Sequence, residues 1–170
     1  MYKRILVTLD GSPLSEAVLP QVERLVAGTY TSVTLLRVAE LPEQTVARRV
    51  QTPMPAVIVG GGPALTTKTE PQFAETRGQA IRRVKEEAKA YLNEKARPLR
   101  AKGIEVESAA RLGHAAKEII DYARTHDVDL ITMSTHGRSG LGKMLVGSVA
   151  GRVLLSGVKP VLLFRPDRME

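Results

Sequence analysis

A chain of 170 residues with 43% hydrophobic side chains can bury one sizeable core without covalent staples, and with no cysteine it has neither disulfides nor thiolate chemistry. Its formal net charge of +7 suits anionic partners, yet with two Phe, four Tyr and no recognised nucleic-acid motif, nucleic acid is not the expected one. The three histidines, His114, His126 and His136, lack metal-ligand spacing, and no apolar run approaches the roughly 20 residues that span a bilayer, so a soluble cytoplasmic protein is expected.

Ile5-Leu-Val-Thr-Leu9 reads as a buried strand, ended by Asp10-Gly11-Ser12-Pro13. Ser12 as N-cap and Pro13 in the first turn predict a helix to about Ala27, with Leu14, Val18, Val22, Leu25 and Val26 as its apolar stripe. Pro20 lies inside it and should kink it or delay its regular start. Gly28 closes it. Val33 to Val38 is the second strand. The alternation then fails over about 40–79, where five prolines and the triplet Gly60-Gly61-Gly62 mark a flexible insertion.

Arg82 to Lys102 reads as a helix, with Ile81, Val84, Ala88, Tyr91 and Leu92 on one face, Pro98 bending its last turns and Gly103 at its end. Its basic residues are mixed with Glu86, Glu87 and Glu94, the pattern of a solvated face. Ile104 to Ala110 is a strand, His114 to Thr125 a helix, Leu130 to Met133 a strand, Ser148 to Ser156 a helix and Val161 to Phe164 a last strand. Strands alternating with helices imply a parallel sheet covered on both faces. Ligands in such sheets sit beyond the carboxyl ends of the strands, which points to the polar turns Asp10-Gly11-Ser12 and Ser134 to Gly147.

Several glycine patterns compete for phosphate. Gly137-Arg-Ser-Gly-Leu-Gly142-Lys143-Met144 nearly fits a P-loop, but Met144 replaces the hydroxyl residue that would hold Mg²⁺. Val57-Ile-Val-Gly60-Gly61-Gly62 imitates the opening of a dinucleotide fingerprint, but Leu65 stands in place of its third glycine. The third pattern follows the strand ending at Met133: Gly137, nine residues, then Gly147-Ser148 at a helix start, where backbone N–H groups and the helix dipole favour an anion.

This last pattern resembles the nucleotide-binding signature of the universal stress protein family, with Ser134 where the first glycine is usual. Lys3 to Ser12 is similar to the family's first strand with its aspartate, and Thr34 to Val38 to its second, with Arg37 where histidine is common. Asp129 to Met133 and Lys159 to Leu163 are similar to its fourth and fifth strands. The resemblance covers most of the chain outside about 40–79. It implies one Rossmann-like α/β domain over 1–170, with a five-stranded parallel sheet in the order 3-2-1-4-5 and helices on both faces. It also implies binding of ATP or AMP, with Mg²⁺ as the accompanying ion, in a stress-response or signalling module that pairs as a homodimer through its last strand.

The roles implied by the resemblance fall on named residues. Asp10 would contact the ribose or adenine side, Val38 would present its backbone to adenine, and Met133 would pack near the base. Gly137, Gly147, Ser148 and Val149 would supply N–H groups and a hydroxyl to the phosphates. Ser134 would donate to ribose or phosphate, and Arg138, with Ser139 and Lys143, would reach the outer phosphates. From the residues alone Asp10 and Ser148 also read as helix caps, and Arg111 and His114, near the end of the third strand, either face the site or lie at the surface, the surface being the expected place. No pair forms an acid–base or nucleophile constellation, so any catalysis would be slow ATP hydrolysis. Two alternatives stay open: a family member acting through dimer contacts without nucleotide, and an ATP-using enzyme with 40–79 as a lid.

Overall fold

The computed structural model describes residues 2–41, 76–135 and 147–166. Five strands, β1 (Arg4–Thr8), β2 (Ser32–Ala39), β3 (Val106–Leu112), β4 (Leu130–Ser134) and β5 (Val161–Phe164), form one parallel sheet in the order β3-β2-β1-β4-β5. Five helices connect them: α1 (Pro13–Glu16), α2 (Leu19–Val26), α3 (Arg77–Ala101), α4 (Ala115–Thr125) and α5 (Ser148–Leu155). The expected fold class, strand order and coverage of both faces are all present.

The period of two along each strand builds two cores. Ile5, Val7, Val33, Leu35 and Leu130 pack on one face against Val22 and Val26 of α2 and Leu92, Ala96 and Leu99 of α3. Leu6, Leu36, Ile131 and Met133 pack on the other against Ile119 and Ala123 of α4 and Ala150 and Val153 of α5. Strands buried on both faces read as continuous apolar runs, which is how β1 and β4 appear in sequence.

Strand β3 runs Val106–Leu112, shifted two residues later at each end than the expected Ile104 to Ala110, and two helix boundaries differ from the sequence expectation. The single helix expected from Ser12 to Ala27 is two, broken at residues 17–18, with Pro20 in the first turn of α2. A proline ring clashes with the carbonyl four residues earlier, so regular helix restarts just before it. Helix α3 begins at Arg77, not Arg82. Thr76 Oγ1 accepts from Gln79 N–H while Gln79 Oε1 accepts from Thr76 N–H, a reciprocal capping box that outweighs the weak apolar periodicity of this turn. Residues 77–79 thus belong to α3, and 42–75 of the expected insertion lie outside the described residues. Pro98 is accommodated inside α3. No helix among the described residues is long and apolar enough to cross a membrane.

Candidate functional site

Strand order reverses between β1 and β4, and the chain leaves the carboxyl ends of these strands on diverging paths. After β1 it enters a short polar loop. Asp10 Oδ1 accepts from Ser12 N–H at 2.8 Å, Asp10 N–H donates to Ser15 Oγ at 3.2 Å, and Ser12 Oγ caps α1 by accepting from Ser15 N–H at 3.1 Å. The aspartate and two serines thus close a turn in which small polar side chains replace the ladder bonds that β1 has given up. Gly11 sits in this turn at φ +91°, which an L side chain rarely adopts.

Strand β2 runs further than β1. Its bond to Lys3 C=O is made by Ser32 N–H, so Ser32, Thr34, Leu36 and Val38 point their backbone groups toward β1. The last bond of this series is Leu9 N–H to Leu36 C=O at 2.9 Å. The N–H and C=O of Val38 therefore face the space that β1 vacates, side by side as one donor and one acceptor.

On the other side of the gap, α5 begins at Ser148 with Gly147 as its N-cap. A glycine cap brings no side chain to the first N–H groups of the helix, and among the described residues no side chain caps them. Ser148 is the first helical residue, not the cap, and its hydroxyl makes no hydrogen bond among the described residues. Helix α4 starts nearby at Ala115 behind Gly113 and His114, again with no side-chain cap bond.

These segments enclose a cavity of about 180 Å³. Its walls are largely apolar, from Leu9, Leu36, Val38, Ala115, Ile119, Met133 and Val149, and Asp10, Ser134, Gly147 and Ser148 also line it. Ser134 Oγ lies 3.4 Å from Ser15 C=O. The cavity opens into a wider cleft that shares Asp10, Val38, Ala115, Ser148 and Val149 and adds Arg37, Glu40, His114 and Arg152. An apolar slot with a few convergent polar groups and a helix start is the usual build of a small-molecule site.

Seven of the nine residues singled out from sequence, Asp10, Val38, Met133, Ser134, Gly147, Ser148 and Val149, line this one cavity. Gly137 and Arg138 lie outside the described residues, as do His136, Ser139, Lys143, the near P-loop and the triplet Gly60–Gly62. Asp10 does help to order the turn before α1, in keeping with the capping alternative, and the residue also lines the cavity. Arg111 and His114 are exposed; Arg111 stacks over Tyr122 at 5.4 Å, while His114 lines the outer cleft. Sequence reasoning missed Ala115 and Ile119. They stand four residues apart at the start of the helix after β3, near a strand's carboxyl end, but the spacing itself is the same as that of core residues.

The fold and cleft define a doubly wound α/β protein with a cavity at its topological switch point, where proteins of this architecture bind their ligands. A sequence model of the universal stress protein family matches residues 62–165. The chain belongs to the universal stress protein family. It is 28% identical to universal stress protein MJ0577 of Methanocaldococcus jannaschii over 165 residues, covering 97% of this chain and 96% of that one. The solved structure of MJ0577 superposes with a TM-score of 0.70 at 26% identity, covering 99% of both chains. The fold is shared with a universal stress protein from Archaeoglobus fulgidus solved in complex with dAMP, at TM-score 0.55 and 24% identity over 95% of this chain and 97% of that one. It is shared as well with one solved in complex with cAMP, at TM-score 0.57 and 18% identity over 96% of this chain and 97% of that one.

Proposed function

We propose that this protein binds an adenine nucleotide, ATP or AMP, and works as a cytoplasmic stress-response or signalling module. The observation that carries the reading is the convergence of seven residues, chosen from sequence as nucleotide ligands, on one cavity beside the N-terminus of α5, which no side chain caps among the described residues. The base lies in the apolar slot between Val38, Ile119 and Met133. The Val38 N–H and C=O form an adjacent donor and acceptor, which complements adenine N1 and its 6-amino group. Guanine reverses both, presenting N1–H and O6 to the same pair. Discrimination by hydrogen bonds inside an apolar slot is strong, because a mismatched base leaves buried polar groups without partners.

The phosphates lie at the start of α5, where Ser148 and Val149 N–H groups and the Ser148 hydroxyl are available and the helix dipole favours negative charge. Asp10 stands on the ribose side. The relatives solved with dAMP and cAMP support an adenine nucleotide as the ligand class. Pairing through β5 is part of the same proposal. This strand ends the sheet, and its Leu162 is 43% exposed beside the exposed Leu25.

The test is an equilibrium titration with ATP, with and without Mg²⁺, accompanied by a phosphate-release assay. Saturable one-to-one ATP binding is expected, with phosphate release far below one turnover per minute. No binding at millimolar ATP would favour the family member that acts through dimer contacts. Rapid multiple turnover would make the protein an enzyme.

A further inference from the structure

Arg37 stands on β2 between Leu36 and Val38, so its side chain leaves the sheet on the α1 and α3 side while Val38 faces the cavity. Its guanidinium carbon lies 4.6 Å from the centre of the Tyr91 ring of α3, a stacked cation–π contact. The same guanidinium occupies the space beside Gly11. A Cβ on Gly11 would lie 3.0 Å from Arg37 Nη2 and 3.1 Å from its Cζ. Arg37 makes no hydrogen bond or ion pair among the described residues, so packing and stacking fix it rather than a carboxylate.

The contact reaches the site through a short chain of bonds. Tyr91 Oη donates to Glu16 Oε1 at 2.9 Å, and Lys95 Nζ holds Glu16 Oε2 at 2.8 Å. Glu16 ends α1, which has four residues and little stability of its own. The other end of α1 is tied to Asp10 through Ser12 and Ser15. The loop carrying Asp10 is thus held from behind by Arg37 against Gly11 and from its far end by Tyr91 and Lys95 on Glu16.

We propose that Arg37 is a positioning residue of the nucleotide site: clamped between the Tyr91 ring and Gly11, it fixes the 10–12 loop so that the Asp10 carboxylate and the Val38 backbone face one cavity. Its effect on binding rests on the adenine-nucleotide reading above; its effect on the loop does not. Arg37 lines the outer cleft but not the inner cavity, so the competing role is direct contact with an outer phosphate.

The test is Arg37→Met, which keeps an apolar stem and removes the planar cation, with Arg37→Lys as the milder variant should the first not fold. Amide hydrogen exchange is followed at Ser12, whose N–H is held by Asp10, and at Leu35 in the sheet. Exchange at Ser12 is expected to rise by about tenfold or more while Leu35 is unchanged, the mark of local rather than global opening. Unchanged exchange at Ser12 overturns the proposal whether or not nucleotide binds. Affinities for ATP and for adenosine are both expected to fall by about tenfold, and by much less when Asp10 is already alanine, because the two substitutions act through one loop. A loss confined to ATP would assign Arg37 to the phosphates and overturn positioning. Wild-type protein that binds neither ligand would defeat the nucleotide reading alone, with Ser12 exchange still deciding the role of Arg37.

Discussion

Replacing Thr132 by valine is expected to stabilise the fold and leave ligand binding unchanged. Thr132 lies in the middle of β4 at 0% exposure, and its Oγ1 has no hydrogen-bond partner among the described residues. Its side chain shares the face of Leu130 and lies near Val18 and Leu162, away from Met133 and the cavity. A hydroxyl buried without a partner costs about 1–3 kcal/mol by mutational measures. Valine keeps the branched shape and puts a methyl group in place of the oxygen, so steric cost is small. The expected gain is about 1–2 kcal/mol, which for a chain of this size raises Tm by roughly 2–8 °C. Calorimetric melting measures it, and an ATP titration of the same variant checks the site. A Tm equal to or below that of the wild type would mean that the hydroxyl is partnered in solution, by water or by a second subunit, and would refute the reasoning.

Gly147→Val places a branched side chain at the edge of the cavity where the proposed site puts the phosphates; since Gly147 has φ −52° the backbone accepts it. ATP affinity should therefore fall at least about tenfold, or 1.4 kcal/mol, with Tm nearly unchanged, and equal affinity in calorimetry would displace the phosphates from α5. Leu162→Glu puts a charge on the exposed edge of β5 and should convert a dimer to monomer or prevent folding, and a wild type that scatters light as a monomer at about 50 μM would end the dimer proposal. Asp129 Oδ2 accepts from Lys3 and Arg4 N–H at 2.8 and 2.9 Å, which holds its carboxyl below the usual carboxylate range. The stability it contributes is present above the unfolded value of about 3.9 and is lost as pH falls through the lower folded value. Asp129→Asn should be less stable than wild type at neutral pH, and the gap in denaturant midpoint should narrow at acid pH; a gap independent of pH would remove the carboxylate from the cause.

Much of the architecture was legible because parallel strands buried on both faces leave short apolar runs, and β5 over Val161–Phe164 was located to the residue. Boundaries set by local side-chain bonds were less so. The Thr76–Gln79 capping box starts α3 five residues before the expected arginine, and the restart of α2 depends on a carbonyl clash that places the break ahead of Pro20 rather than at it. At the cavity, Gly147 and the aspartate after β1 are legible in sequence because a close approach or a turn requires those residue types. Ala115 and Ile119 could not be told from core by type, since an apolar pair four residues apart serves either purpose. Arg37 stands in sequence only as a departure from the family's usual histidine, and its stacking on Tyr91 of a distant helix has no local sequence signal.

The central claim is that one cavity at the end of β1 and β4 reads adenine. An amide NMR titration with ATP and, separately, with GTP tests it most directly. ATP should cause saturable shifts at Val38, Ala115, Met133, Ser148 and Val149, with GTP at least about tenfold weaker because it mismatches the Val38 donor and acceptor. Absence of shifts at millimolar ATP, or shifts centred on β5 instead of these residues, would contradict it.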